Sequence, residues 1–160
     1  MSRAERIVIF LATGCYAGKL PMAPGTFGSL AALPLCWLLA QLGRPAAVMA
    51  TVLVIAAAVW LAGAAERLLR QRDPGSIVID EIAGMLVTFS GLPFTAFTAT
   101  AGFVLFRVLD IAKPFPIGWV EKRLSGGSGI VMDDLIAGAM ANLGCRLLLA
   151  LLGGAAFAHG

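Results

Sequence analysis

Phe106-Arg107-Val108-Leu109-Asp110-Ile111-Ala112-Lys113-Pro114 and, sixteen residues further on, Ile130-Val131-Met132-Asp133-Asp134-Leu135-Ile136-Ala137-Gly138 set charged side chains into otherwise apolar runs. An unpaired ion in such surroundings costs several kcal/mol, so a chain that keeps three carboxylates, an arginine and a lysine there usually uses them. Ile77-Val78-Ile79-Asp80-Glu81-Ile82-Ala83-Gly84 repeats the second pattern. Both acidic pairs follow a Gly/Ser-containing segment, and both precede an Ala-Gly pair whose small side chains let helices approach closely.

The rest of the chain explains those apolar surroundings. Of 160 residues, 59% are hydrophobic and 13% charged, about half the charge of an ordinary soluble domain. The mean hydropathy is +0.91. Length and composition together indicate a single membrane-embedded domain. The net charge of +3 is small and its basic residues are dispersed, which excludes a nucleic-acid-binding surface and fits membrane anchoring. Cys15, Cys36 and Cys145 form no CxxC, which speaks against a zinc site or a disulfide framework. The one histidine, His159, leaves no Ser-His-Asp triad.

Apolar runs are expected at Ser29 to Leu42, Ala46 to Ala65, residues 77–92, Phe94 to Ala112 and Ile130 to Leu152. The fold class is therefore all-α, a bundle of about five membrane-embedded helices preceded by a short interfacial helix over 4–13. Runs one and three are shorter than a comfortable span, so tilting or re-entry is allowed for. The first residues resemble a signal peptide ending at Leu11-Ala12-Thr13-Gly14-Cys15, but their apolar core is short. Residues 14–28 read as a breaker-rich loop whose Gly25-Thr26 end either cradles an anion or is a plain turn. Residues 115–129 read as a second loop. Ser76 or Asp73 is expected to cap the third run.

Five spans place Arg3, Arg6, Lys19, Arg67, Arg70, Arg72, Lys113, Lys122 and Arg123 on one side and Arg44 on the other. The positive-inside rule makes the first side cytoplasmic. Asp80-Glu81 and Asp133-Asp134 then start helices, and Asp110 ends one, all at one depth near that surface. Four or five carboxylates in one layer need a cation, or some must be protonated. Without His or Cys, the donor set suits a hard divalent ion, Mg²⁺ above all. Arg107 is spaced to pair with Asp110, and Lys113 to reach a phosphate. The alternative is that each acidic pair merely complements a helix dipole. Glu66, Asp73, Glu121, Arg67, Arg70, Lys122 and Arg123 read as solvated loop charges.

In order, Pro21-Met22-Ala23-Pro24-Gly25-Thr26-Phe27-Gly28-Ser29, Ile79-Asp80-Glu81-Ile82-Ala83-Gly84, Phe106 to Pro116 and Gly129 to Gly138 resemble the phosphatidylglycerophosphatase A family over residues 8–150. The resemblance implies a Mg²⁺-dependent lipid phosphatase of the bacterial inner membrane. Its substrate would be phosphatidylglycerophosphate and its product phosphatidylglycerol. Asp80, Glu81, Asp110, Asp133 and Asp134 match the family's acidic positions, as catalytic residues and metal ligands. Gly25, Thr26, Arg107 and Lys113 match positions expected to hold the phosphate. One departure is Tyr16, where many members have a glycine between Gly14 and Gly18.

On this reading, water attacks a phosphomonoester beside one or two Mg²⁺ ions, with a spare carboxylate as base. A covalent aspartyl-phosphate route is the alternative, although no Asp-x-Asp is present. No Cys-x₅-Arg is present, and a histidine-dependent phosphatase lacks its histidines. From other classes, a cation transporter or channel subunit would bind its ion at mid-membrane, and an assembly subunit would have no activity to lose. Oligomeric state is not legible in the sequence.

Overall fold

Why the apolar runs become helices, and where those helices stop, is settled largely by glycines and prolines. The computed structural model describes residues 1–121 and 123–157, leaving Lys122 and His159 outside the described residues. Among the described residues there is no strand. The α-helices are α1 (Arg3–Ala12), α2 (Pro24–Ala40), α3 (Arg44–Leu69), α4 (Ile79–Phe89), α5 (Ala96–Ala112), α6 (Ile117–Glu121) and α7 (Gly126–Phe157), with one 3-10 turn at Ala17–Lys19.

Two helices are long and apolar enough to cross a membrane, α3 with 26 residues and Gly126–Gly153 of α7 with 28. Their most apolar stretches are only 28% and 22% buried. Val52, Leu53, Trp60, Leu143, Leu147 and Leu151 are among the large apolar side chains they expose. Water would drive such faces together, whereas lipid solvates them. The other three expected spans are shorter: α2 and α5 have 17 residues each and α4 has 11. At 1.5 Å per residue α4 rises about 16 Å, roughly half a hydrocarbon core.

A helix that ends against other helices leaves carbonyls that need donors. Side chains of α7 meet that need. Asn142 Nδ2 donates to the Thr88 and Ser90 carbonyls at 2.8 and 2.9 Å. Arg146 Nε donates to Asn142 Oδ1 at 2.8 Å, and its Nη2 donates to the Ser90 carbonyl at 3.1 Å. At its start, α4 has Val78 as N-cap with no side-chain cap, so neither Ser76 nor Asp73 plays the expected part. Instead the Val78 amide donates to the carbonyl of Ala12 at the end of α1. Ile9 and Ala12 of α1 are buried with Ala58, Ala62, Ile130 and Val131, so this helix is packed into the bundle along one side.

Several expected boundaries move, α3 for example running to Leu69 rather than Ala65, and two helix starts bear on the site. α2 begins at Pro24, a first-turn proline whose fixed φ suits that position, rather than at Ser29. α7 begins at Gly126 rather than Ile130, so most of the expected glycine-rich loop is helix. Its glycines give close packing instead of a turn: a Cβ on Gly127 would overlap the Val59 carbonyl and the backbone of Gly63 on α3. The remaining part of that loop holds the short α6.

Candidate active site

The crossing of α4 and α7 decides which acids meet. A Cβ on Gly84 would stand 2.6 Å from the Phe106 ring and 2.7 Å from the Asp134 carbonyl oxygen, and one on Gly138 would overlap the Gly84 carbonyl. Bare backbones at both positions let α4 and α7 touch. Asp80 and Glu81, one turn before Gly84, are thereby brought beside Asp133 and Asp134, one turn before Gly138. Phe106, fully buried, wedges α5 against the same crossing. One turn further along α5, Asp110 joins the acids.

Together these elements enclose a cavity of about 280 Å³. Asp80, Glu81, Arg107, Asp110, Lys113, Asp133 and Asp134 line it, as do Gly25 and Asp73. Every acidic residue expected from the sequence, and both expected cations, reach this one space. The expected depth differs in one respect. α4 does carry Asp80 and Glu81 in its first turn, but the early start of α7 puts Asp133 and Asp134 two turns inside their helix. Gly25 lines the cavity because a Cβ there would overlap Glu81 Oε1 and stand 3.1 Å from Arg107 Nη1. Thr26, half-buried in the same turn of α2, is not part of the lining.

Ion pairs hold the cations in place. Arg107 Nη1 donates to Asp110 Oδ2 at 2.6 Å, with both side chains about 15% exposed or less. Lys113 Nζ donates to Asp133 Oδ2 at 2.9 Å and to Glu121 Oε1 at 2.6 Å. Burial alone would lower the Lys113 pKa, but these two hydrogen bonds and the charges behind them raise it, so the ammonium stays charged. Glu121 is thus an ion-pair partner, not the solvated loop charge expected. Arg123 stays exposed as expected, its guanidinium lying 4.2 Å from the Trp119 ring centroid.

Asp73 is the cavity residue that sequence reasoning set aside. It sits at φ +45° in the segment before α4. Burial raises its carboxyl pKa first; Lys113 pulls it down, while Glu121 and Glu66 push it up. It is exposed, in keeping with its reading as a solvated loop charge, yet it also lines the cavity; its signal in the sequence was its closeness to the acidic helix start.

Several oxygens in the cavity have no partner. Asp80 Oδ1, Glu81 Oε2, Asp133 Oδ1 and Asp134 Oδ1 are buried without a hydrogen bond. One oxygen each from Asp80, Glu81 and Asp134 lies within 4.8 Å of the others. Buried carboxylates left in this state are costly, and a hard divalent cation is the partner that oxygen-only donors suit. The donor set therefore fits Mg²⁺.

Fold and cavity define a helical, membrane-associated protein with a cluster of carboxylates and two ion-paired cations at one end of its bundle. The chain belongs to the phosphatidylglycerophosphatase A family, whose model matches residues 10–149. A phosphatidylglycerophosphatase A of Escherichia coli K12 is 40% identical over 131 residues, covering 81% of this chain and 76% of the relative. One of Haemophilus influenzae is 37% identical over 129 residues, 79% of each. A Bacteroides thetaiotaomicron protein named as a candidate phosphatidylinositol-3-phosphatase is 34% identical over 148 residues, 86% of this chain and 91% of the relative. No solved structure matches.

Proposed function

We propose that this chain is a phosphoric monoester hydrolase that converts phosphatidylglycerophosphate to phosphatidylglycerol and inorganic phosphate. The relatives' names supply the substrate. The observation that carries the chemistry is the convergence of four unpartnered carboxylate oxygens with Arg107 and Lys113 in one cavity. With most basic residues flanking that end of the bundle, the cavity faces the cytoplasm and the protein resides in the bacterial inner membrane. α2, α4 and α5 complete the expected five membrane-embedded helices, with α4 ending inside the bilayer.

Asp80, Glu81 and Asp134 would hold Mg²⁺, with Asp110 and Asp133 beside them. The ion supplies Lewis acidity toward phosphate oxygens and water. Lys113 and Arg107 bind the terminal phosphate and offset the charge that spreads over its oxygens as the ester bond breaks. Gly25 allows the backbone of α2 to approach that phosphate. Asp133 has one oxygen held by Lys113 and one free, so it is oriented to act as base. Asp133 Oδ1 takes a proton from the attacking water as the P–O bond forms. That proton then goes to the glycerol oxygen leaving phosphorus, so the products are an alcohol and phosphate.

The direct test is phosphate release from phosphatidylglycerophosphate by purified protein with Mg²⁺ and with a chelator. Release with Mg²⁺ alone is expected; none under either condition would end the proposal. Phosphatidylinositol 3-phosphate belongs in the same assay, because one relative is named for it. The ion-transport alternative has no support in the family assignment.

A further inference from the structure

A second cavity is larger than the acidic one. It measures about 630 Å³ and lies at the other end of the bundle. Three helices run from one to the other. α2 starts at the acidic cavity with Pro24 and Gly25, and its end, Leu39 and Ala40, lines the large one. α4 starts with Asp80 and Glu81 and ends there with Phe89. On α7, Arg146 lies twelve residues beyond Asp134, or about 18 Å along the axis. Apolar side chains, among them Leu39, Leu42, Val48, Leu86 and Leu92, make up one half of the walls and polar atoms nearly the other half, with two charged side chains, Arg44 and Arg146. No carboxylate lines this space. Neither arginine has a salt-bridge partner among the described residues.

Arg146 is not free to wander, since Asn142 and the Ser90 carbonyl hold its Nε and Nη2. Arg44 is the first residue of α3, where unpaired helix amides add positive potential. A groove with leucines on one part and polar groups and two cations on the other, on a bundle whose outer faces suit lipid, matches an amphipathic phospholipid: acyl chain along the leucines, phosphodiester at the arginines. We propose that this groove binds one anionic phospholipid of the leaflet opposite the acidic cavity, with Arg44 and Arg146 as its phosphate contacts. The site is separate from the hydrolytic cavity and does not rest on the activity assigned to it.

The test uses full-length protein in zwitterionic detergent, with dioleoyl phosphatidylserine as probe because it is neither substrate nor product. Native mass spectrometry counts the bound lipid, with dioleoyl phosphatidylcholine and inorganic phosphate as separate arms. One phosphatidylserine should bind per chain, with phosphatidylcholine at least about fivefold weaker and inorganic phosphate giving no adduct. Arg44→Gln should weaken phosphatidylserine binding about tenfold, the loss expected of one charge-assisted contact, while phosphate release from phosphatidylglycerophosphate in detergent with no other lipid added is unchanged. Arg146→Gln should weaken it further, but that change also strips the Ser90 carbonyl of a donor, so Arg44→Gln is the deciding variant. Asp134→Asn should bind the lipid as wild type does. Undiminished binding by Arg44→Gln, equal retention of both lipids, or loss of the adduct in Asp134→Asn would overturn the assignment.

Discussion

Gly84→Ala is the change that probes the α4–α7 crossing most sharply. The added methyl would sit 2.6 Å from the Phe106 ring and 2.7 Å from the Asp134 carbonyl oxygen, where an ordinary contact is 3.4 Å or more. Relief therefore requires a displacement of 3.4 − 2.6 = 0.8 Å, to the nearest few tenths. Phe106 is fully buried and has nowhere to swing, and the other obstacle is backbone. The helices themselves must part. Overpacking of this kind costs about 1–3 kcal/mol. The functional cost is larger, because Asp80 and Glu81 ride on one helix and Asp134 on the other. A Mg²⁺ site tolerates little departure from its ~2.1 Å octahedral shell, and a misplacement near 1 Å can cost about a hundredfold in rate. Phosphate release from phosphatidylglycerophosphate micelles, measured across a Mg²⁺ titration, should show about a hundredfold loss and a shift of half-saturation to higher Mg²⁺. Gly153→Ala, where a Cβ meets nothing within 4 Å, serves as the control and should leave both unchanged. Full activity with an unshifted Mg²⁺ curve in Gly84→Ala would refute the view that this contact sets the spacing of the acids.

Asp134→Asn should lower Mg²⁺-dependent hydrolysis by at least about a hundredfold, yet raise the melting temperature in chelator, since one of several crowded negative charges is gone; a lower melting temperature there would argue against like-charge crowding. Lys113→Met should strand Asp133 and Glu121, costing about 1 kcal/mol once partial exposure is allowed for, and slow hydrolysis about tenfold or more. Because the folded-state pKa of Lys113 is raised, its stabilising contribution is complete below the free-lysine range of about 10.4 and fades as pH climbs through the folded value. Melting curves of wild type and Lys113→Met should thus differ by a constant amount from neutral pH to about 10 and converge only above it. Asn142→Leu should leave the Thr88 carbonyl without its α7 donor and destabilise by about 1–3 kcal/mol, read as faster proteolysis of the 90–95 segment; unchanged proteolysis would show that the end of α4 is satisfied by other means.

Helix existence and the identity of the acids were legible because each depends on local pattern. Apolar runs with breakers between them make helices in any setting that removes water, and a carboxylate inside such a run stands out by its cost alone. Boundaries were less legible. Gly126, Gly127 and Gly129 read as loop because glycine is a poor helix former, yet α7 uses Gly127 to meet Gly63, a gain that appears only when α3 is alongside. Glu121 reads as solvated for a similar reason: its partner is Lys113, eight residues back, and no spacing rule carries the turn at φ +44° that lets the two meet.

By itself the sequence determined an all-helical, lipid-compatible chain, its family, and the acids set into its apolar runs, since composition, periodicity and motif order survive without coordinates. Only the tertiary structure decided which of those acids face one another, which carboxylates pair with Arg107 and Lys113, and that α4 ends at Phe89 under Asn142 and Arg146. Those outcomes depend on contacts between helices far apart in the chain, at distances fixed by the absence of single methyl groups at Gly84 and Gly138.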